Sequence, residues 1–301
     1  AFGTGRALPP PSPFPLLLVP LRMARRLLIV GLGNSYGASA TPAPPAPAAV
    51  AAPAGAAPAA ADDSGVSFPA DFPNSVKHFL LLGCVAMAAM AGVALAHNLS
   101  RAKMSTVHSL LFLAGATGGM GYFAMVTGLG VDLKTIDETP RVVFWARYAT
   151  QVVSQPVLLA AIGFLAEMET AVLLPLVFED ILLVLAGYLG STTVAPMKYF
   201  WWLTSCFFTV LIGLQLLSAT KGGHTVLRNA AYGVIACLSV FQLLWLMGSE
   251  GTANLGLAPE VGLYVLVDIV LKLGLGLYLL FSHDSVAGKE EGEEVGRASY
   301  V

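Results

Sequence analysis

The chain has 301 residues, of which 56% are hydrophobic and 11% are charged, with a formal net charge of −2. This charged fraction is well below the roughly 25% of soluble domains, and the near-zero net charge argues against a nucleic-acid partner. Three cysteines, Cys84, Cys206 and Cys237, lie in apolar runs without CxxC-type spacing. Disulfide and structural metal roles are therefore disfavoured, and buried inert thiols are expected.

The amino-terminal part of the chain, residues 1–72, is dominated by Ala, Pro and Gly. Such a segment cannot bury enough apolar surface to fold, so we expect a disordered arm. Within it, "MARRLLIVGLG" begins at Met23 and is either the start of a targeting segment or a stretch upstream of the folded domain. The Gly-rich "GLGNSYG" follows no strand–helix unit and does not predict a nucleotide-binding loop.

Apolar runs of membrane-spanning length follow one another through residues 73–284, before a short acidic tail at 285–301. A bilayer core needs about 20 apolar residues per helix, and backbone polar groups in lipid must be paired internally. We therefore predict an all-α membrane protein, a bundle of seven transmembrane helices. The predicted spans are 76–97, 105–129, 142–166, 170–190, 198–218, 225–248 and 259–282.

The distribution of basic residues gives a weak signal for orientation. Cytoplasmic loops are enriched in Lys and Arg, and the loops alone are nearly balanced. The tail residues Lys289 and Arg297 tip the count toward an outside amino terminus and a cytoplasmic carboxyl terminus.

The third predicted helix, "FWARYATQVVSQPVLLAA", carries a polar stripe. Arg147, Thr150, Ser154 and Ala161 are spaced so that they share one face of a helix. One interpretation is an inward-facing charge with two hydroxyls at successive turns. The other is an arginine that snorkels to the membrane surface, with hydroxyls bonded to their own helix.

The seventh predicted helix contains two ionisable residues in an apolar run, Asp268 and Lys272. They are four residues apart and project from one face. One interpretation is a buried ion pair that only ties helices together. Because ionisable groups at membrane depth are costly and mark functional sites, the other interpretation is a lysine that anchors a carbonyl cofactor through a Schiff base, with the carboxylate stabilising its positive charge.

The chain resembles the microbial rhodopsins, which are seven-helix retinal proteins. The resemblance rests on motifs that occur in the family's order: "WARY" at 145–148, Pro156, Trp201 and Trp202, "WLMGSEG" at 245–251, and "VLVDIVLKLGLG" at 265–276. Tyr122 and Asp180 also match the residue types that the family has at their positions. The resemblance implies a light-responsive protein rather than an enzyme, with all-trans retinal bound to Lys272 and Asp268 in the counterion. The other residues that it implies around retinal are Tyr122, Trp202, Cys206, Phe241 and Trp245.

The third-helix set Thr150, Ser154 and Ala161 resembles that of the halorhodopsins, which are inward chloride pumps. A proton acceptor must be ionisable, and Thr150 is not. The Schiff base and Arg147 also place two positive charges beside one assured carboxylate, Asp268. Since unpaired buried charge is costly, we expect a chloride or similar anion held by Arg147, Thr150 and Ser154.

Several residues depart from the family pattern, and they leave other functions open. Gln151, Gln155, Leu238, Phe241 and Gln242 stand where the family usually has Trp, Thr, Trp, Tyr and Pro. Altered aromatic packing favours a photosensory or accessory rhodopsin with a signalling partner, and a light-gated anion channel is a third hypothesis. In each case we expect a homo-oligomer in the lipid bilayer.

Overall fold

The computed structural model describes residues 73–101, 104–136, 139–221 and 224–282, without the side chains of 133–140. All of them belong to one compact unit, 62–301. The predicted arm at 1–72, with Met23 and "GLGNSYG", and the predicted tail at 285–301 lie outside the described residues.

Seven helices in the described residues are long and apolar enough to cross a membrane, which confirms the predicted fold. Each predicted end lies within three residues of the observed one, because bilayer thickness sets the length of an apolar helix. The helices are α1 Asn74–Leu99, α2 Thr106–Val126, α3 Trp145–Leu165, α4 Thr170–Thr192, α5 Met197–Ala219, α6 Thr225–Met247 and α7 Leu257–Ser282.

The helices pack in chain order, and α7 returns to pack against α1, which closes the bundle. Helix α3 also contacts α6 across the bundle. In the most apolar 18-residue stretch of each helix, 61% of the residues of α3 are buried, compared with 28% for α4 and 28% for α5. The polar stripe on α3 therefore faces protein, whereas α4 and α5 turn much of their surface toward lipid.

A β-hairpin that the sequence did not predict connects α2 to α3. Strand β1 (Asp132–Ile136) pairs antiparallel with β2 (Thr139–Val143). The buried Arg141 donates a hydrogen bond from Nη1 to the carbonyl oxygen of Ser191 at 3.1 Å. The hairpin is thereby tied to the end of α4, on the side of the bundle where α3 begins.

Candidate functional site

The centre of the site is the ion pair that the sequence predicted on α7. Lys272 Nζ lies 2.9 Å from Asp268 Oδ1, and both side chains are buried. The hydroxyl of Tyr122 donates a hydrogen bond to Asp268 Oδ2 at 2.8 Å. Tyr122 and Lys272 thus engage one oxygen each of a carboxylate that water does not reach.

Lys272 lies in a π-helical segment, Ile269–Gly274, inside α7. Single π-turns within α-helices are frequently found at functional sites. A Cβ added at Gly118 on α2 would lie 3.7 Å from Lys272 Cδ and 3.2 Å from Met87 Sδ, so the lysine stem packs against α2 where a glycine leaves room. The stem is therefore enclosed by protein on its path from α7 into the bundle.

A pocket lies among α3, α4, α5, α6 and α7, and its empty space of about 380 Å³ includes space that is open to the surroundings. Its aromatic lining includes Phe241, Trp245 and Tyr264, and Phe241 stacks on Tyr264 with 6.0 Å between ring centroids. Aromatic walls of this kind can pack against a flat apolar group, and Lys272 itself is not part of the lining. Polar side chains also line the cavity, among them Arg147, Gln151, Gln155, Ser205 and Gln242.

Trp202 and Cys206, which the sequence placed around retinal, both contact Gln242 and lie outside the lining of this cavity. The indole nitrogen of Trp202 donates to the backbone carbonyl oxygen of Gln242 at 3.0 Å. Cys206 Sγ donates to the side-chain oxygen Oε1 of Gln242 at 3.8 Å. The Gln242 amide nitrogen donates to Ser205 Oγ at 2.8 Å and Thr209 Oγ1 at 3.2 Å. Gln242 is therefore the polar link between α5 and α6.

A second, smaller cavity lies against Leu238 and Leu271, the residue before Lys272. Gln155 and Asp180 also line it. Both carboxyl oxygens of Asp180, Gln155 Oε1 and Ser154 Oγ are buried without a hydrogen-bond partner among the described residues. Buried polar groups in proteins are almost always satisfied by protein, water or a ligand, so this part of α3 and α4 is suited to bind small polar species.

Arg147 is paired with a carboxylate that sequence reasoning missed. Its Nη2 lies 3.1 Å from both oxygens of Glu250, and its guanidinium lies 3.8 Å from the centroid of the Tyr264 ring. The Tyr148 hydroxyl also donates to Glu250. All four side chains are buried, so this arginine does not snorkel to the membrane surface.

The pairing of Arg147 and Glu250 corrects the charge count made from the sequence. That count compared the positive charges at Arg147 and Lys272 with the negative charge of Asp268 alone. It omitted Glu250, of which only 1% of the surface is exposed. Each cation has a carboxylate partner. An anion is therefore not required to balance the two charges.

The two hydroxyls of the α3 stripe differ in their partners. Thr150 Oγ1 donates to the carbonyl oxygens of Ala146 and Arg147 at 2.9 and 3.2 Å, as a hydroxyl bonded to its own helix. Ser154 Oγ has no such partner among the described residues, and Ala161 is fully buried. Of the predicted anion ligands, Ser154 is thus the one whose hydrogen-bonding capacity is unused.

The loop between α6 and α7 supplies further buried polar contacts that the sequence did not predict. Glu260 accepts hydrogen bonds from the backbone nitrogen of Ser249 at 2.8 Å and from its hydroxyl at 3.3 Å. Lys198 Nζ donates to the Gly251 carbonyl oxygen at 2.7 Å. For Glu250, the sequence did contain one signal. A buried arginine requires a carboxylate partner, and the glutamate of "GSEG" at 248–251 follows the end of α6.

Comparisons with known proteins agree with this arrangement. The sequence profile of the family described as "Bacteriorhodopsin-like protein" matches residues 74–286. Archaerhodopsin-2 of Halobacterium sp. (strain aus-2) is 28% identical over 197 residues, which cover 62% of this chain and 76% of that protein. Cruxrhodopsin-3 of Haloarcula vallismortis is 28% identical over 202 residues, covering 61% and 80%.

Solved structures show the same fold. The light-driven proton pump of Coccomyxa subellipsoidea superposes with a TM-score of 0.67 at 19% identity, covering 71% of this chain and 99% of that one. The light-driven proton pump of Leptosphaeria maculans gives 0.65 at 23% identity, covering 71% and 98%. The chain belongs to the bacteriorhodopsin-like family, the membrane-embedded ion pumps and sensors that bind retinal through a lysine Schiff base and are not enzymes.

Proposed function

We propose that Lys272 is the lysine to which retinal is attached. Two of the described lysine side chains are buried, Lys198 and Lys272. Lys198 lies in the first turn of α5 and bonds to a loop carbonyl, whereas Lys272 lies within α7 beside a carboxylate. Retinal supplies the light-absorbing polyene, and its linkage carries a positive charge that Asp268 stabilises.

Tyr122 is the positioning residue for this counterion. Its hydroxyl holds Asp268 Oδ2, so that Oδ1 stays directed at Lys272 Nζ. A charge-assisted hydrogen bond of this kind is about twice as strong as a neutral one. The expected consequence is a counterion fixed in one rotamer before and after light absorption.

The chain does not export protons by way of α3. A proton acceptor there must ionise, and Thr150 and Ala161 cannot. The two proton pumps of known structure are below 25% identical to this chain, so they support the fold and not the transported ion.

The proposed activity is light-driven inward transport of chloride or a similar small anion. The observation that carries it is the buried hydroxyl of Ser154, which has no partner among the described residues and lies on the α3 face of Arg147 and Thr150. A hydroxyl donates to an anion without ionising. Arg147 and Gln151 line the pocket described above, and Arg147 binds Glu250.

A photosensory role is the second candidate, and the ion pair between Arg147 and Glu250 favours it. With both cations paired, the site is neutral without a transported anion. A sensor of this kind would act through a signalling partner. We also propose that the chain forms a homo-oligomer and that its amino terminus lies outside the cell.

Photocurrent in a voltage-clamped cell that expresses the chain distinguishes these functions. A chloride pump passes current against the chloride gradient, and the current disappears when gluconate replaces chloride. A channel current reverses with the gradient. A photosensor gives almost no current although the visible absorption band is present, and that result would contradict the pump.

A further inference from the structure

Two histidines meet at the end of the bundle that carries the α1–α2 loop. His97 lies in the last turn of α1, and His108 lies in the first turn of α2. His97 Nδ1 and His108 Nε2 are 2.9 Å apart, and the ring planes are inclined by only 9°. Phe281 of α7 presents its ring to His97 with 6.1 Å between centroids. The pair therefore lies where three helices end.

The facing nitrogens offer two ligand atoms to one ion. A neutral imidazole carries its single N–H proton on either nitrogen. If the ring that donates the hydrogen bond changes tautomer, its proton moves to the nitrogen that faces away from the other ring. Both facing nitrogens then have a lone pair available. No net proton loss is needed. Neutral imidazole is the commonest protein ligand for transition metals.

The spacing suits a tetrahedral zinc ion. Zn–N bonds of about 2.0–2.1 Å at tetrahedral angles place two ligand nitrogens about 3.3 Å apart. The observed separation is 2.9 Å, so the two nitrogens must move apart by about 0.4 Å, and both rings must turn until their lone pairs converge on the ion. Such a shift is small for side chains at helix ends.

Burial and position distinguish this pair from the other described histidines. His108 is fully buried, and His97 is partly exposed, so an ion can reach the pair from the membrane surface. The described residues contain no cluster of three or more metal-binding side chains. Water would therefore complete the coordination.

The geometry points to a binding site for a divalent transition metal such as Zn²⁺, with His97 Nδ1 and His108 Nε2 as its protein ligands. The metal joins the end of α1 to the start of α2. This site is separate from the retinal site and independent of the transported ion. Its occupancy would stabilise the bundle by mass action, because the unfolded chain does not hold the two imidazoles together.

The test is titration of the full-length, retinal-bound protein with Zn²⁺ by isothermal calorimetry, with a purification tag that contains no histidine. We expect one saturable site, with affinity lowered at least about tenfold in His97→Ala and in His108→Ala, because loss of an outer-shell partner alone costs about 10–100-fold. The matched control is His78→Ala, on α1 but exposed and far from the pair in sequence. It should bind like the parent protein.

Folding of each variant is checked by its visible absorption band. If an alanine variant does not fold, His97→Gln replaces it in the titration, because His97 is the partly exposed member of the pair. Zn²⁺ should also raise the melting temperature of the parent and of His78→Ala, but not of the His97 variants. Absence of saturable binding would overturn the proposal. Equal affinity in the His97 and His78 variants would overturn it as well.

Discussion

Glu250→Gln is the substitution that most directly tests how the site balances its charge. It removes the negative charge beside Arg147 while it keeps the size of the side chain and an oxygen that accepts hydrogen bonds. In the parent protein Glu250 contacts Arg147 Nη2 with both oxygens and also accepts from Tyr148. The variant therefore leaves a buried guanidinium without its counter-charge.

The expected magnitude follows from the burial of both partners. Removing one charge from a buried pair costs about 3–5 kcal/mol, because the remaining charge is desolvated and uncompensated. Glutamine keeps part of the hydrogen bonding, so a loss of about 3 kcal/mol is expected. Chloride at about 100 times its dissociation constant returns about 2.7 kcal/mol by mass action. If the anion binds beside Arg147, saturating chloride therefore restores nearly all the lost stability.

The assay is thermal loss of the visible absorption band in chloride and in gluconate. We expect Glu250→Gln to be much less stable than the parent in gluconate, and we expect chloride to raise the stability of the variant to about that of the parent in gluconate. Glu260→Gln is the matched control, since Glu260 binds Ser249 and not Arg147. Equal stability of Glu250→Gln in the two salts would refute an anion site beside Arg147.

Three further results are expected. Lys272→Ala should abolish the visible band while Lys198→Ala retains it, and a pigment that survives Lys272→Ala without added amine would contradict the assignment. Illuminated cells in unbuffered medium should not acidify it, and acidification abolished by a protonophore would show proton export. Removing chloride should shift the absorption maximum to the red, Ser154→Ala should weaken that dependence, and Thr150→Asp should remove it. An identical spectrum in chloride and gluconate would leave the photosensory role in first place.

The fold was predictable because membrane thickness constrains each helix independently of the others. Runs such as 225–248 needed only length and hydropathy, and the observed helix is Thr225–Met247. The pair Asp268 and Lys272 was predictable for a similar reason, since a spacing of four residues on a helix brings side chains together without any tertiary information.

The partner of Arg147 was not predictable in this way. Glu250 lies 103 positions away in the sequence, and only the packing of α3 against α6 brings the two together. The hairpin was missed because its strands are short and lie between two membrane spans, where hydropathy carries little information. The π-helical turn around Lys272 likewise leaves no mark in the apolar pattern.

The residues that depart from the family pattern have an identifiable effect on α6. Where the resemblance leads one to expect a proline, Gln242 donates to Ser205 and Thr209 on α5, and α6 runs unbroken from Thr225 to Met247. Hydrogen bonds between membrane helices contribute about 0.6 kcal/mol each on average, so the two bonds together hold α6 to α5 with about 1.2 kcal/mol. A factor of ten in an equilibrium corresponds to about 1.4 kcal/mol. Gln242 therefore biases the equilibrium of α6 toward its packed position by somewhat less than tenfold, which disfavours an outward movement of α6 without preventing it.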